Sequence, residues 1–154
     1  MLNDILKQEF EILKLEFIQK YDELGMRASG KFANEIRSEV LQEPNKFIAR
    51  IYAPDYTEKL EFGQEKGCEP LSKVIEKWIY DKRISTNLKI STLAFLIARK
   101  IGKEGWKRKD FGGVELVSKV FTAERIQKIM DKAGERALQT FTSDVLTYLQ
   151  ILQK

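Results

Sequence analysis

The chain reads as an α+β protein: a small antiparallel sheet, made of a hairpin plus one further strand, packed with a central helix pair and with long N- and C-terminal helices. Three observations predict this. Apolar residues step by threes and fours through both ends of the chain, the same spacing recurs twice between Pro70 and Trp106, and alternating residues follow a turn at Glu43-Pro44-Asn45. With 154 residues, 43% of them hydrophobic, the chain can build one real core but not two ordinary ones, so a single domain over 1–154 is expected.

The first element runs from Leu2 to Leu24, where Leu2, Ile5, Leu6, Phe10, Leu13, Phe17, Tyr21 and Leu24 form one stripe and Gly25 follows. A helix of this length spans about 35 Å. Ile12, Leu15 and Ile18 lie off the stripe and mark a candidate subunit interface, with scattered surface apolars as the competing reading. A hairpin then pairs Lys31–Leu41 with Lys46–Ala53 around the turn, although Phe32, Ile36 and Val40 also suit a helix. The segment DYTEKLEFG allows one or two helical turns before Gly63, and 64–69 reads as an exposed loop.

The stretch from Pro70 to Trp106 is expected to organise the rest. Leu71, Val74, Ile75, Trp78 and Ile79 give one amphipathic helix, opened by Pro70. Leu93, Leu96, Ile97 and Ile101, thickened by Ala94 and Ala98, give a second that stops at Gly102 and Gly105. Leu71, Ile75, Trp78, Leu93, Ile97 and Ile101 are the predicted core anchors. Beyond a basic loop with a glycine pair, VELVSKV alternates as a third strand. Thr122 caps a last helix over 122–152, long enough to project from the body, in which Gly134 costs about 1 kcal/mol relative to alanine and allows a bend or a close crossing.

Composition narrows the function. Histidine is absent, which removes the commonest general base and metal ligand, and Cys68 alone can form neither an intrachain disulfide nor a cysteine zinc site. Glycine-rich phosphate loops, nucleophile elbows and metal-ligand spacings are missing too, so no catalytic, cofactor-binding or metal-binding residue is identified and a non-enzymatic role is expected. Glu58, Glu61 and Glu65 read as a solvated face and Cys68 as incidental. The apolar run at Ala94–Ala98 is too short to cross a bilayer, and the N-terminal apolar residues are interrupted by acids, unlike a secretory signal; a soluble, cytoplasmically made protein with no membrane partner is expected. A net charge of +4 permits contact with a polyanion without requiring it.

The order of pieces resembles the tail-completion or neck proteins of tailed bacteriophages. The likeness covers Tyr52 to Arg108 and is looser at both ends. It rests on Tyr52-Ala53 at a strand end, Glu61-Phe62-Gly63, Pro70 before the helix bearing Trp78-Ile79 and Lys82, and Leu93, Ala94, Ile97, Ala98, Ile101 and Gly105 in the second helix. The long C-terminal helix and the polar start of the third strand depart from the pattern. The resemblance implies a virion structural protein that forms a ring of its own copies at the head–tail interface, between the portal-side connector and the tail.

Two further features are weighed against that background. Trp78 lies on the apolar face of its helix and reads as a core anchor, whereas Trp106 precedes Lys107-Arg108-Lys109, an aromatic beside a basic run. In a ring around the genomic DNA channel, those three cations would line the lumen weakly and without sequence preference, or contact a partner. Otherwise Trp106 folds back under its helix and the charges are simply solvated. The alternative function is a small intracellular nucleic-acid-binding or regulatory module that uses the basic loop 106–109.

Overall fold

The structure is a computed structural model and describes residues 2–111 and 115–152. Its first element, α1 (Leu2–Glu23), buries Leu6, Leu13, Phe17 and Tyr21 along the expected stripe. The helix stops where Gly25 takes a left-handed φ of 66°. The Met26 N–H then donates to the Tyr21 carbonyl at 3.2 Å and the Gly25 N–H to the Asp22 carbonyl at 2.9 Å. This is the Schellman pattern, and buried Met26 and Tyr21 supply its accompanying apolar contact.

A short helix follows, α2 (Lys31–Glu35), and the chain then runs out as β1 (Arg37–Glu43). The strand expected from Lys31 therefore begins six residues later. Phe32 and Ile36 stand one helical turn apart and both reach the core, and Gly30, at φ 81°, lets the chain enter the helix. β1 pairs antiparallel with β2 (Lys46–Tyr52) across a two-residue turn, in a register running from Glu43↔Lys46 to Arg37↔Tyr52. Val40, Phe47 and Ile51 face the core under α1. The sheet has two strands among the described residues.

The third strand expected over 114–120 is not formed. Val114 and the glycine pair 112–113 lie outside the described residues, while Val117–Val120 makes a helical turn, α5 below. Leu116 and Val120 are both buried, a spacing of four that a helix satisfies as well as alternation does. An aromatic cluster completes this core: Phe17 meets Phe32 and Phe121 edge-on, with ring centroids 5.8 and 5.2 Å apart, and Tyr21 stacks on Phe32 at 4.1 Å.

The central helix pair, α3 (Ser72–Asp81) and α4 (Ile90–Glu104), stands apart from this core. The two helices pack chiefly on each other, with Ile79, Ala94 and Ala98 buried where they meet. The predicted anchors do not form one core: Leu71 is 75% exposed and Trp78 40%, and Ile75, Leu93, Ile97 and Ile101 are only half-buried. The residues fully buried at this contact are Ile79 and two small alanines, so the larger predicted anchors keep part of their surface in solvent. α3 starts at Ser72, two residues past Pro70, and closes on a second Schellman pattern in which Arg83 takes the left-handed position at φ 54°.

After α5 (Val117–Val120), the last helix, α6 (Ala123–Leu152), is opened as expected: Thr122 Oγ1 accepts the Arg125 N–H at 3.1 Å. It buries Ile129 and Ala133 against the body. From residue 134 onward its described side chains are exposed apart from half-buried Thr140, so its last turns extend roughly 25 Å beyond the core. A Cβ on Gly134 would meet nothing within 4 Å, so no close crossing occurs there.

This division of burial makes two predictions. Phe17→Ala should cost about 3–5 kcal/mol in denaturant unfolding, and Trp78→Ala distinctly less; equal losses would mean that the helix pair shares the main core. Arg83→Gly should raise stability by about 0.5–1 kcal/mol, because glycine removes the left-handed strain at some entropic cost.

Candidate interaction surface and its anchoring joint

The helix pair is fixed to the body by a joint built from glycines and charged side chains. The segment Gly63–Glu69 runs beside the end of α4, where Gln64 and Trp106 exchange backbone hydrogen bonds of 2.6 Å in each direction and the Gly67 N–H donates to the Gly102 carbonyl at 2.7 Å. Two glycines are obligatory. Gly63, at φ 81°, has no room for a Cβ, which would overlap the Trp106 carbonyl and come within 2.9 Å of Lys107 Cα. A Cβ on Gly105, at φ 74°, would stand 2.6 Å from the Gln64 carbonyl oxygen. Half-buried Trp106 thus serves the joint through its backbone.

Charged side chains tie the same region to α1. The Schellman turn leaves the carbonyls of Leu24 and Gly25 free, and cations take both: Arg108 Nη1 donates to Leu24 O at 3.1 Å and Lys82 Nζ to Gly25 O. Positive charge at a helix C-terminus also meets the negative end of the helix dipole. Burial holds the Arg108 guanidinium below its ordinary pKa, and its Nε finds no acceptor. Glu61, expected on a solvated face, is buried instead. It belongs to a short helix over Thr57–Phe62, and its carboxylate accepts the N–H groups of Val117 and Ser118 at 2.5 and 3.0 Å, satisfying the orphan donors that open α5.

The basic run is accordingly three different residues. Arg108 is a structural tie rather than a surface cation. Lys109 pairs with Glu115, and their shared hydrogen bond raises the lysine pKa and lowers that of the carboxyl. Lys107 is exposed. The basic surplus lies elsewhere: residues 72–104 hold eight Lys and Arg against three Asp and Glu, a surplus of five in a chain whose net charge is +4. Counting Lys and Arg along helices rather than in runs would have found it.

That cationic lobe also carries apolar side chains in water, with Leu71, Val74, Trp78, Phe95 and Leu96 all exposed. Of the predicted interface residues on α1, Leu15 is 57% exposed and Ile12 is exposed as well, but Ile18 packs against the core and belongs to the interior. On the outer part of α1, Asp4, Glu11, Asp22 and Glu23 are exposed, and Glu11, Asp22 and Glu23 are paired within the chain with Lys14, Arg27 and Lys20. Across its other side, Glu16 receives a two-pronged hydrogen bond from Arg125 at 2.9 Å on each prong, and buried Glu9 pairs with Lys132, which locks α1 to α6. The cleft beside these pairs is open and lined by charges of both signs, including Lys20, Glu23, Lys119 and Lys128, without the apolar walls of a small-molecule site. Among the described residues, no group of three or more potential ligands could hold a metal ion, and no helix is long and apolar enough to cross a membrane. Cys68 is exposed and its carbonyl accepts from Gln64 Nε2 at 2.5 Å.

Comparison of the chain with protein-family models, with curated proteins and with solved structures finds no match.

The joint can be tested through its glycines. Gly63→Ala should cost more than about 2 kcal/mol, because backbone must move to admit the methyl group. Gly67→Ala, at positive φ but with nothing within 4 Å, should cost nearer 1 kcal/mol. Thermal or denaturant unfolding of both variants reads the difference; similar losses would mean that the two loops are not in contact.

Proposed function

We propose that the chain is a non-enzymatic virion structural protein that joins copies of itself into a ring at the head–tail interface of a tailed bacteriophage. There it would link the portal-side connector to the tail around the DNA channel, after synthesis in the host cytoplasm. The sequence support is the ordered set of elements from Tyr52-Ala53 to the end of the second central helix. The observation that carries the reading is geometric: one chain bears two unlike faces with exposed apolar side chains, the cationic lobe of α3 and α4 with Leu71, Val74, Trp78, Phe95 and Leu96, and the outer side of α1 with Ile12 and Leu15. Unlike faces that fit each other give a head-to-tail contact, and such contacts close into rings when the rotation permits. Both edges of the two-stranded sheet can serve the same contact.

Genomic DNA would meet such a ring weakly and without sequence preference, because a lining must let the duplex slide. Lys107 is the loop residue suited to that role, since Lys109 is already paired with Glu115. Arg108 is not, since its guanidinium is committed to the Leu24 carbonyl. This same commitment weakens the alternative of a nucleic-acid-binding module built on residues 106–109, which loses its central cation.

Reconstruction of the particle that contains the chain tests the proposal, with light scattering of the purified protein beside it. The expected result is a ring at the neck with α1 of one copy against α3 and α4 of the next, disrupted by Leu15→Asp. Lys107→Glu should leave the melting transition unchanged and impair DNA retention. A stable monomer or dimer that binds duplex DNA tightly, with a steep salt dependence, would overturn the ring in favour of the alternative.

A further inference from the structure

The last turns of α6 carry a second apolar surface, independent of the faces assigned to the ring. Leu138, Phe141, Val145 and Tyr148 step by three, four and three, the spacing of a coiled-coil seam, and Leu149 and Ile151 widen it. All six are exposed, Phe141 at 67% and Tyr148 at 72%. A free helical segment of this length is marginal in water and is normally held by packing on one face.

Its polar side is unusual. Between Arg136 and Lys154 the only charged residue is Asp144. Thr140 and Thr147 turn their hydroxyls back onto the carbonyls of Arg136 and Ser143, at 3.0 and 2.9 Å, so these donors are satisfied within the helix. The missing charge decides between occupants. A membrane surface or a nucleic acid would call for Lys and Arg on the polar side, and there are none between 137 and 153. The cationic lobe of a neighbour would call for several carboxylates, and there is one. An identical helix calls for neither, and meets no repulsion.

We propose that the segment 138–152 of α6 is a self-association element whose partner is the same segment of a second copy of this chain. Two copies bring together two Phe141 and two Tyr148, side chains that bury roughly 150–250 Å² each. With Leu138, Val145 and Leu149 added, the contact clears the ~1,000 Å² expected of a specific interface. Such pairing would link chains through their tails whether or not their bodies form a ring.

Sedimentation velocity of the full chain over a concentration series tests this, using two double variants that add the same charge to opposite sides. Phe141→Glu with Tyr148→Glu should weaken self-association by at least about tenfold. Ser143→Glu with Gln150→Glu should leave it unchanged. Both should keep the wild-type melting transition, because the body core ends at Ala133. The inference is overturned if the wild-type chain stays monomeric throughout, if the seam variant associates as the wild type does, or if both variants weaken association equally. A seam variant that associates normally while particles retain a neck ring containing this chain removes this inference and leaves the ring. Loss of the ring reading with tail pairing intact does the reverse.

Discussion

Leu6, Leu13, Phe17 and Tyr21 lie on one face of α1, and leaving such side chains in water costs about 1.5–3 kcal/mol each for residues of this size. The body is arranged around that cost. The hairpin covers the face from one side with Val40, Phe47 and Ile51, α2 brings Phe32, and α5 and α6 bring Leu116, Val120 and Ile129. Since α1 is the surface against which the others pack, an error in its placement would expose most of the core at once. The central helix pair has no such dependence, which explains why it can remain at the edge of the molecule.

The polar groups left over by this packing are used as fasteners. Ending α1 in a left-handed turn frees the carbonyls of Leu24 and Gly25, and the chain returns Arg108 and Lys82 to them from segments distant in sequence. Glu61 does the converse at the start of α5, accepting backbone donors that no carbonyl reaches. Buried Glu61 and half-buried Arg108 would be costly without partners, so these contacts specify how the segments dock more than they add net stability. The glycines at 63 and 105 belong to the same device, because only backbone without a Cβ can approach this closely.

What remains uncovered is therefore not random. The core is filled by α1, the sheet, α2, α5 and the first half of α6, which leaves α3 and α4 with only each other to pack against and the end of α6 with its apolar side chains exposed. These exposed apolar side chains, beside a lobe with surplus positive charge, are the surface that the proposed contacts would cover. The proposed roles of the two surfaces differ because their charge differs: the lobe is strongly cationic and the tail almost neutral.

By itself the sequence determined the local events. The stripe of α1, its stop at Gly25, the turn at Pro44-Asn45, the cap at Thr122 and the extent of the last helix all follow from spacing and from residues with few conformational options. Tertiary structure decided the rest. Phe32 and Ile36, or Leu116 and Val120, are four apart and satisfy strand and helix alike, so only their neighbours in the core could choose. Trp78 and Leu71 sit on an apolar helix face as clearly as Phe17 does, yet periodicity states which residues share a face and not what covers it. Arg108 was indistinguishable from Lys107 and Lys109 in the chain; it became a structural residue because folding brought an unpaired carbonyl, 84 residues away, within 3.1 Å of its guanidinium.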